Sequence, residues 1–431
     1  MEGKRKEVMS NKLLVLKHYL KFKYRKFKKR ENLDKFQRKQ IDKHLEFVTE
    51  NSLFYHDYKD KKLEEFPVID KKIMMENFNI LNTVGIDRDE ALEFAINSER
   101  TREFNPKLNN ITVGLSSGTS HSRGIFLVEN SEKNKWAGYV LAKFLPDSIL
   151  SSYKVAFFMR ANSNLYESVN SKNIQFHFFD IYSDIDKNIQ NLNKLNPDIL
   201  VGQPSVLLVI ANKIKNNAIN IKPQVVISIA EVLEKEDEHY LKAVFGVDVV
   251  HQVYQCTEGC LATTCKYGTL HLNEDIVHIE KEYLDDKRFV PIITDFERTS
   301  QPIIRYRLND VLMEKQEPCK CGSVFTAIEK IEGREDDVFN FKTKSGEDVM
   351  IFPDFIRRCI LFSGNITDYR IVQNEDDSIT VFADIDDNMQ QRVLNEFKKL
   401  ADDKNCIMPL IEFKAYCYDK NRKLKRVEHK H

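Results

Sequence analysis

Four separated segments of the chain carry residue types suited to phosphate, nucleotide and metal chemistry. The first, Ser116-Ser117-Gly118-Thr119-Ser120-His121-Ser122-Arg123-Gly124, lies between two runs of strand character, residues 111–115 and 125–128. Small residues let backbone N–H groups and hydroxyls approach phosphate oxygens closely, and Arg123 adds positive charge. It is not a Walker loop, because it lacks the Gly-Lys-Ser/Thr ending and opens no helix; an ordinary hairpin loop has the same composition. In the second, Tyr254-Gln255-Cys256-Thr257-Glu258-Gly259, an aromatic ring could stack on a base and a carboxylate could hold magnesium. A plain strand-to-helix turn is the competing view. The third, residues 303–310 followed by Gly333-Arg334-Glu335-Asp336-Asp337, offers Asp310, whose two carboxylate oxygens suffice for both ribose hydroxyls, or simply a surface salt-bridge cluster. The fourth, Asn421-Arg422-Lys423-Leu424-Lys425-Arg426, reads by composition as a basic terminus of no consequence.

A metal site is the other candidate. Cys265 and His271 precede Pro318-Cys319-Lys320-Cys321-Gly322. Two thiolates close in sequence can point at one ion, and a distant Cys and His could close a tetrahedron around structural zinc, with Cys260 in reserve. Free cysteines packed as small hydrophobes are the alternative.

The elements that must position these residues follow from periodicity. Residues 1–40 hold 15 Lys/Arg against 4 Asp/Glu, with Leu13, Leu14, Leu16, Tyr19, Leu20 and Phe22 at helical spacing. This predicts a basic amphipathic helix, either facing an anionic membrane or nucleic acid or packed on the main domain as a solvated helix, and the second is preferred. Another helix carries Phe36, Ile41, Leu45 and Val48 and stops at Asn51-Ser52; irregular chain is expected from there to about residue 108. From residue 153 to 254 strand and helix patterns alternate, which predicts a parallel sheet with flanking helices. Ligands of such sheets bind beyond the carboxyl ends of the strands, here at Gln203, Glu231 and residues 254–258. Past Gly333 shorter pieces predict a small α+β domain of ferredoxin-like character. The chain therefore reads as α/β, a large domain over residues 1–334 (1–50 its basic helical start) and a small mobile lid over 335–431.

Composition narrows the class. With 31% charged and 42% apolar residues the chain forms cores and is not disordered. Lys+Arg and Asp+Glu balance at 66 each, so no global field draws it to nucleic acid. No apolar run approaches the roughly 20 residues of a membrane span, so no stable membrane insertion is expected. Eight cysteines are too sparse for a disulfide scaffold, and a cytoplasmic location is expected.

Taken in order, the four segments resemble the acyl-adenylate-forming superfamily, in particular its branch of phenylacetate-CoA ligases and the coenzyme F synthetase-like enzymes that adenylate a deazaflavin. The resemblance runs from about Phe66-Pro67 to the end. It implies that Ser117, Gly118 and Thr119 grip the pyrophosphate end of ATP, that Tyr254 and Thr257 meet the adenine, and that Glu258 holds magnesium. The resemblance further implies that Asp310 binds ribose, that Arg334 and Asp336 form the hinge and that Lys423 is the mobile catalytic lysine, while Glu231 is assigned to the nucleotide site from its place at a strand end. Thr119 and Glu258 complete the implied catalytic set. Arg422 replaces the usual glycine before Lys423, and the loop ends in Ser-His-Ser-Arg-Gly in place of Thr-Gly-x-Pro-Lys. The implied activity is ATP- and magnesium-dependent adenylation of a carboxylic acid, aromatic or hydrophobic. The acyl group would then pass to a thiol of CoA or of a carrier-protein phosphopantetheine. Nucleotidyl transfer, which leaves AMP on a cofactor hydroxyl, is the alternative.

Overall fold

The computed structural model describes residues 2–104, 106–116, 123–159, 161–163, 168–364, 366, 368–417 and 425–430. They divide into two compact units: residues 1–282, 292–308 and 315–329, and residues 283–291, 309–314 and 330–431.

The first unit opens with helices α1 (Glu2–Tyr24) and α2 (Arg30–Asn51). The stripe that predicts α2 is its buried face, with Leu33, Ile41, Leu45 and Val48 inside, and the helix ends where expected, Ser52 N–H closing on the Val48 carbonyl at 2.8 Å. The segment expected to be irregular instead holds α3 (Lys71–Glu76), α4 (Phe78–Leu81) and α5 (Arg88–Thr101). The cap of α5 is strong, since the Asp87 carboxylate accepts from Asp89 and Glu90 N–H. Its buried residues are only Ala91 and Ala95, too small to make an apolar stripe. Strands β1 (Thr112–Leu115) and β2 (Ile125–Val128) pair antiparallel, and α6 (Asn130–Phe144) follows behind a capping box between Glu129 and Glu132.

The predicted βα alternation is borne out. Strands β3 (Tyr153–Met159), β4 (Ile174–Asp180), β5 (Ile199–Gly202), β6 (Val225–Ile229) and β7 (Val250–Cys256) form a parallel sheet of order β4-β3-β5-β6-β7. The crossovers include α7 (Ile185–Leu195), α8 (Pro204–Lys215) and α9 (Lys235–Phe245). Alternate residues face opposite sides. Ala156, Phe158, Leu200 and Val226 pack with Leu192, Leu207 and Leu241 of these helices. Val155, Phe157, Val201 and Ile227 share a core with Val15 and Tyr19 of α1 and Ala137 and Leu141 of α6. The basic helix is thus seated on the large unit by one face. From β7 the sheet continues antiparallel through β8 (Gly259–Thr264) and β9 (Leu270–Leu272). The chain goes on through β10 (Val277–Tyr283), β11 (Arg288–Asp295), β12 (Ile303–Arg307), β13 (Asp310–Glu314) and β14 (Ala327–Arg334). In this unit β12 pairs with the end of β11 and the start of β14 pairs with β9.

In the second unit β13 pairs with the start of β11, and β15 (Phe339–Lys342) forms a hairpin with β16 (Asp348–Ile351). Helices α10 (Pro353–Leu361) and α11 (Asp387–Asp403) accompany β17 (Tyr369–Gln373), β18 (Ile379–Ala383), β19 (Ile411–Lys414) and β20 (Val427–His429). The sheet order is β19-β18-β17-β20, with parallel outer pairs around an antiparallel centre. Phe339, Phe341, Ile356, Ile371, Val381 and Phe397 fill its core. Pro353 at the first helical position fits α10, because its missing N–H has no intrahelical partner to lose.

One buried group makes the fold sensitive to pH. His44 of α2 is 4% exposed, and among the described residues its Nε2 has no hydrogen-bond partner. Burial, reinforced by Lys135 and opposed by Glu297, pushes the imidazole down from 6.5 to about 4. The unfolded chain takes up a proton near 6.5 that the folded protein refuses until about 4, so this contribution is present above 6.5 and lost as pH falls through that window. His44→Leu is expected to flatten the loss of stability between pH 6.5 and 4, by up to about 3 kcal/mol at the acid end. Thermal melts across that range check it; an unchanged slope would show that other groups dominate.

Candidate active site and metal centre

Ser117, Gly118 and Thr119, expected to grip phosphate, and Lys423, expected to be catalytic, lie outside the described residues. The base of that loop is described. Ser116 N–H donates to the Gly124 carbonyl and Gly124 N–H to Ser116 Oγ, both at 2.7 Å, closing the hairpin between β1 and β2. Arg123 is turned to Glu99 of α5 in a two-pronged ion pair, its Nη1 2.8 Å from Oε2, and its Nε donates to the Ser116 carbonyl. Its charge therefore has a carboxylate partner. Lys71, which sequence alone did not single out, brings its ammonium to Ser116 Oγ at 3.4 Å.

Glu258 sits with Thr257 at the tip of the β7–β8 hairpin, so the segment joins antiparallel strands where a strand-to-helix turn was the competing view. Three contacts fix the tip. Arg298 donates to the Thr257 carbonyl at 3.1 Å and to the Leu127 carbonyl of β2 at 3.2 Å. Gly259 lies so close to Asp295 that a Cβ there would be 2.9 Å from its Oδ2. Tyr306 of β12 donates its hydroxyl to Glu258 Oε1 at 3.0 Å, in a buried setting. Burial and the facing carboxylate drive the Tyr306 phenol far above its usual range, so it stays protonated and remains a donor. Asp295 beneath the tip is fully buried and pushed up to about 7, with Arg298 opposing the shift.

Tyr306 is aimed by a distorted strand. Arg305 has φ +45°, a left-handed conformation rarely adopted by a side chain of this size, and the β11–β12 register shifts between Ile293 and Asp295. Bonds to both ends of Arg305 hold it there. Its guanidinium pairs with Glu280 at 2.8 and 2.9 Å and donates to the Glu64 and Phe66 carbonyls, while its N–H donates to Thr294 Oγ1. Nothing in residue spacing announces the Tyr306–Glu258 contact, which arises from long-range pairing of β12.

At the neighbouring strand end, Ala230 has φ +65° and Glu231 N–H bonds the Ile229 carbonyl at 2.8 Å, a classic γ-turn, which is rare and strained. It places Glu231 so that Oε2 accepts from Ser205 N–H at the start of α8, at 3.2 Å. Tyr254 lies buried in β7, one strand over from the turn. Glu231, Tyr254, Thr257 and Glu258 thus gather at the ends of adjacent strands β6 and β7.

Asp310, Arg334 and Asp336 belong to the second unit. Asp310 opens β13; the Asn309 carboxamide beside it bonds the Asp336 carboxylate, and Glu335 N–H bonds the Asn309 carbonyl at 2.8 Å. The segments expected to bind ribose and to form a hinge therefore touch within one unit. Gly333, at φ +129°, precedes exposed Arg334 in a conformation suited to glycine. Lys425 pairs with buried Asp337 at 2.6 Å, and the tail continues into β20, an element its basic composition concealed.

The four predicted metal ligands come together. One ligand atom from each of Cys265, His271, Cys319 and Cys321 lies within 4.8 Å of all the others. Tetrahedral zinc with bonds of about 2.3 Å to sulfur and 2.0 Å to nitrogen needs sulfur–sulfur edges of about 3.8 Å and sulfur–nitrogen edges of about 3.5 Å. Here Cys265 Sγ is 3.7 Å from Cys319 Sγ, and Cys321 Sγ is 3.4 Å from His271 Nε2. His271 Nδ1 lies 3.2 Å from the Phe325 carbonyl, a contact that would hold the proton on Nδ1 and leave the Nε2 lone pair for a metal. Ser323 N–H points at Cys321 Sγ, and Gly322 makes the turn at φ +71°. Burial would raise both thiols of the Cys-x-Cys pair. Hydrogen bonds from Thr269, the Cys321 backbone and His271 nevertheless bring Cys319 to about 6, while Cys321 is pushed up to about 11. Cys260 takes no part; it is buried against Asn273 with its thiol pushed up to about 12 by burial.

The described elements, from the hairpin at 112–128 through the parallel βα stack to the small mixed sheet, have the fold of solved acid–CoA ligase and amide bond synthetase structures. Among solved structures, 2-hydroxyisobutyryl-CoA ligase in complex with an acyl-AMP is similar with a TM-score of 0.62 and 15% identity, over 90% of this chain and 88% of that one. The amide bond synthetase McbA from Marinactinospora thermotolerans is similar with a TM-score of 0.52 and 11% identity, over 73% and 66%. By sequence the chain is 26% identical over 269 residues to indoleacetate–lysine synthetase from Pseudomonas savastanoi, covering 58% of this chain and 63% of that protein. It is 27% identical over 216 residues to the protein CapK from Staphylococcus aureus, covering 49% and 47%. In both cases the match spans less than two thirds of the relative's length. No protein-family profile matches the chain.

The donor set and its edges fit a structural zinc ion, since four protein ligands leave no position for water. Protein purified without a histidine tag is expected to carry about one zinc per chain by metal analysis. Cys321→Ser is expected to lose it and to melt several degrees lower. Metal-free protein of unchanged stability would remove the idea.

Proposed function

We propose that the protein activates a carboxylic acid as its acyl-AMP and passes the acyl group to a thiol of CoA or of a carrier-protein phosphopantetheine. The observation that carries this reading is Glu258, held at a hairpin tip by the Tyr306 hydroxyl beside the strand ends of an adenylate-forming fold. A carboxylate oxygen attacks the α-phosphate of ATP, the bond to the β-phosphate bridging oxygen breaks, and pyrophosphate leaves. The thiolate then attacks the acyl carbon and AMP departs, a far better leaving group than oxide.

Each residue has a proposed part. Ser117, Gly118 and Thr119 hold the leaving pyrophosphate through hydroxyl and backbone donors. Tyr254 and Thr257 bound the adenine, Glu231 lies at its edge, and Asp310 takes the ribose hydroxyls. Glu258 would hold magnesium, its carboxylate oxygens matching a hard cation, and the metal when bound neutralises phosphate charge. The Lys423 ammonium meets charge that builds on the α-phosphate during attack. Arg334 and Asp336 form the hinge at which residues 335–431 move to bring Lys423 in and withdraw it, one site serving two half-reactions. The acid would lie along residues 228–231 and 251–254, where β6 and β7 run side by side. Eight cysteines without a disulfide, three of them in the zinc set, suit a reducing compartment, the cytoplasm.

A second reading concerns the acceptor. The similarity to a protein named for joining indoleacetate to lysine favours an amine in place of the thiol. Both require the same acyl-AMP, whereas nucleotidyl transfer to a cofactor hydroxyl does not.

Carboxylate-dependent exchange of labelled pyrophosphate into ATP, screened over aryl, fatty and amino acids, tests the reading. Lys423→Ala is expected to lower exchange by about 10²–10³ with ATP binding retained. Tyr306→Phe, which removes a hydrogen bond to a charged group, is expected to lower it about 10- to 100-fold. Exchange at the wild-type rate in Lys423→Ala would remove that lysine from the chemistry.

A further inference from the structure

We infer that the outward face of α1 docks the protein on an anionic lipid surface. Helix α1 has two apolar faces. One, with Val15, Tyr19 and Phe22, is buried against α6: a Cβ on Gly138 would lie 2.7 Å from Tyr19 N, Phe22 meets Tyr139 edge-on at 4.9 Å, and Asn134 bonds Asn11. The anchor is therefore firm. The other face carries Leu13, Leu16, Leu20 and Tyr24 at the spacing i, i+3, i+7, i+11 of a single helical stripe, with exposures of 63%, 37%, 44% and 74%. Four large apolar side chains in line on solvent are not explained by the packing of the unit.

The charge around the stripe indicates its partner. Residues 1–40 carry 15 Lys/Arg against 4 Asp/Glu, while the whole chain is balanced at 66 each. Lys12 and Lys17 are exposed on the same stretch of helix, and Lys26, Lys28 and Lys29 are exposed just beyond it. Lysines flanking leucines let the stems lie along apolar tails while the ammonium groups reach lipid phosphates. A nucleic acid would meet the charge but has no use for the leucines. A second copy of the chain would set two basic faces against each other. No helix among the described residues is long and apolar enough to cross a membrane, so the helix lies along the surface.

Vesicle co-sedimentation of the full chain tests this. Binding to vesicles containing about one third phosphatidylserine is expected to exceed binding to pure phosphatidylcholine at least tenfold, and to collapse in high salt. The double variant L16Q/L20Q keeps every charge and changes only exposed positions. It is expected to lose at least tenfold of the binding with an unchanged melting temperature. Equal binding to neutral and anionic vesicles, or full binding by L16Q/L20Q, would overturn the proposal. So would light scattering that finds a dimer dissolved by L16Q/L20Q, which would assign the stripe to a second copy.

Discussion

A carboxylate removed from water is stable and aimed only if donors replace the lost hydration. In this protein that requirement falls on Glu258, and the Tyr306 hydroxyl meets it. The bond fixes the β7–β8 tip to β12, which explains why β12 tolerates a left-handed Arg305 and a register shift: without them the tyrosine would be delivered elsewhere. Arg305 is in turn held through Glu280 and the carbonyls of Glu64 and Phe66. A chain of polar contacts thus runs from the segment at 64–66 to the hairpin tip, and each link is local geometry serving one oxygen atom.

Strand β8 joins the two candidate centres. It begins at Gly259, immediately after Glu258, and ends at Thr264, immediately before Cys265. A rigid Cys3His cluster at one end of a short strand would limit the freedom of the carboxylate at the other. The backbone is consistent with this division: strained residues beside the carboxylate site include Ala230, just after β6, and Arg305, next to Tyr306, while the cluster uses a glycine turn.

Legibility in the sequence followed the range of the forces involved. Helix α2 could be read because a continuous apolar stripe is a local signal. The parallel stack could be read because buried strands of Val, Ile and Phe alternate with stretches of helical pattern. Helix α5 was missed because its inward face is alanine, and β20 because Val427–His429 becomes a strand only by pairing with β17. The metal ligands could be proposed from Cys and His spacing, with buried free thiols as the competing view and Cys260 in reserve, and the structure brings all four together. The supporting shell was not visible: Tyr306 on Glu258, Arg298 on Thr257 and Glu99 on Arg123 join residues far apart in sequence. Such contacts depend on strand register and on how elements lie in space, which no local pattern encodes.

The central claim is that a carboxylic acid becomes covalently joined to AMP through one of its own oxygens. The most direct test is mass spectrometry of the AMP released when the acid that supports exchange is supplied with oxygen-18 in its carboxylate and a thiol or amine acceptor is present. The expected result is AMP carrying one labelled oxygen, transferred when the acyl–oxygen bond breaks. Unlabelled AMP formed in step with product would contradict the account.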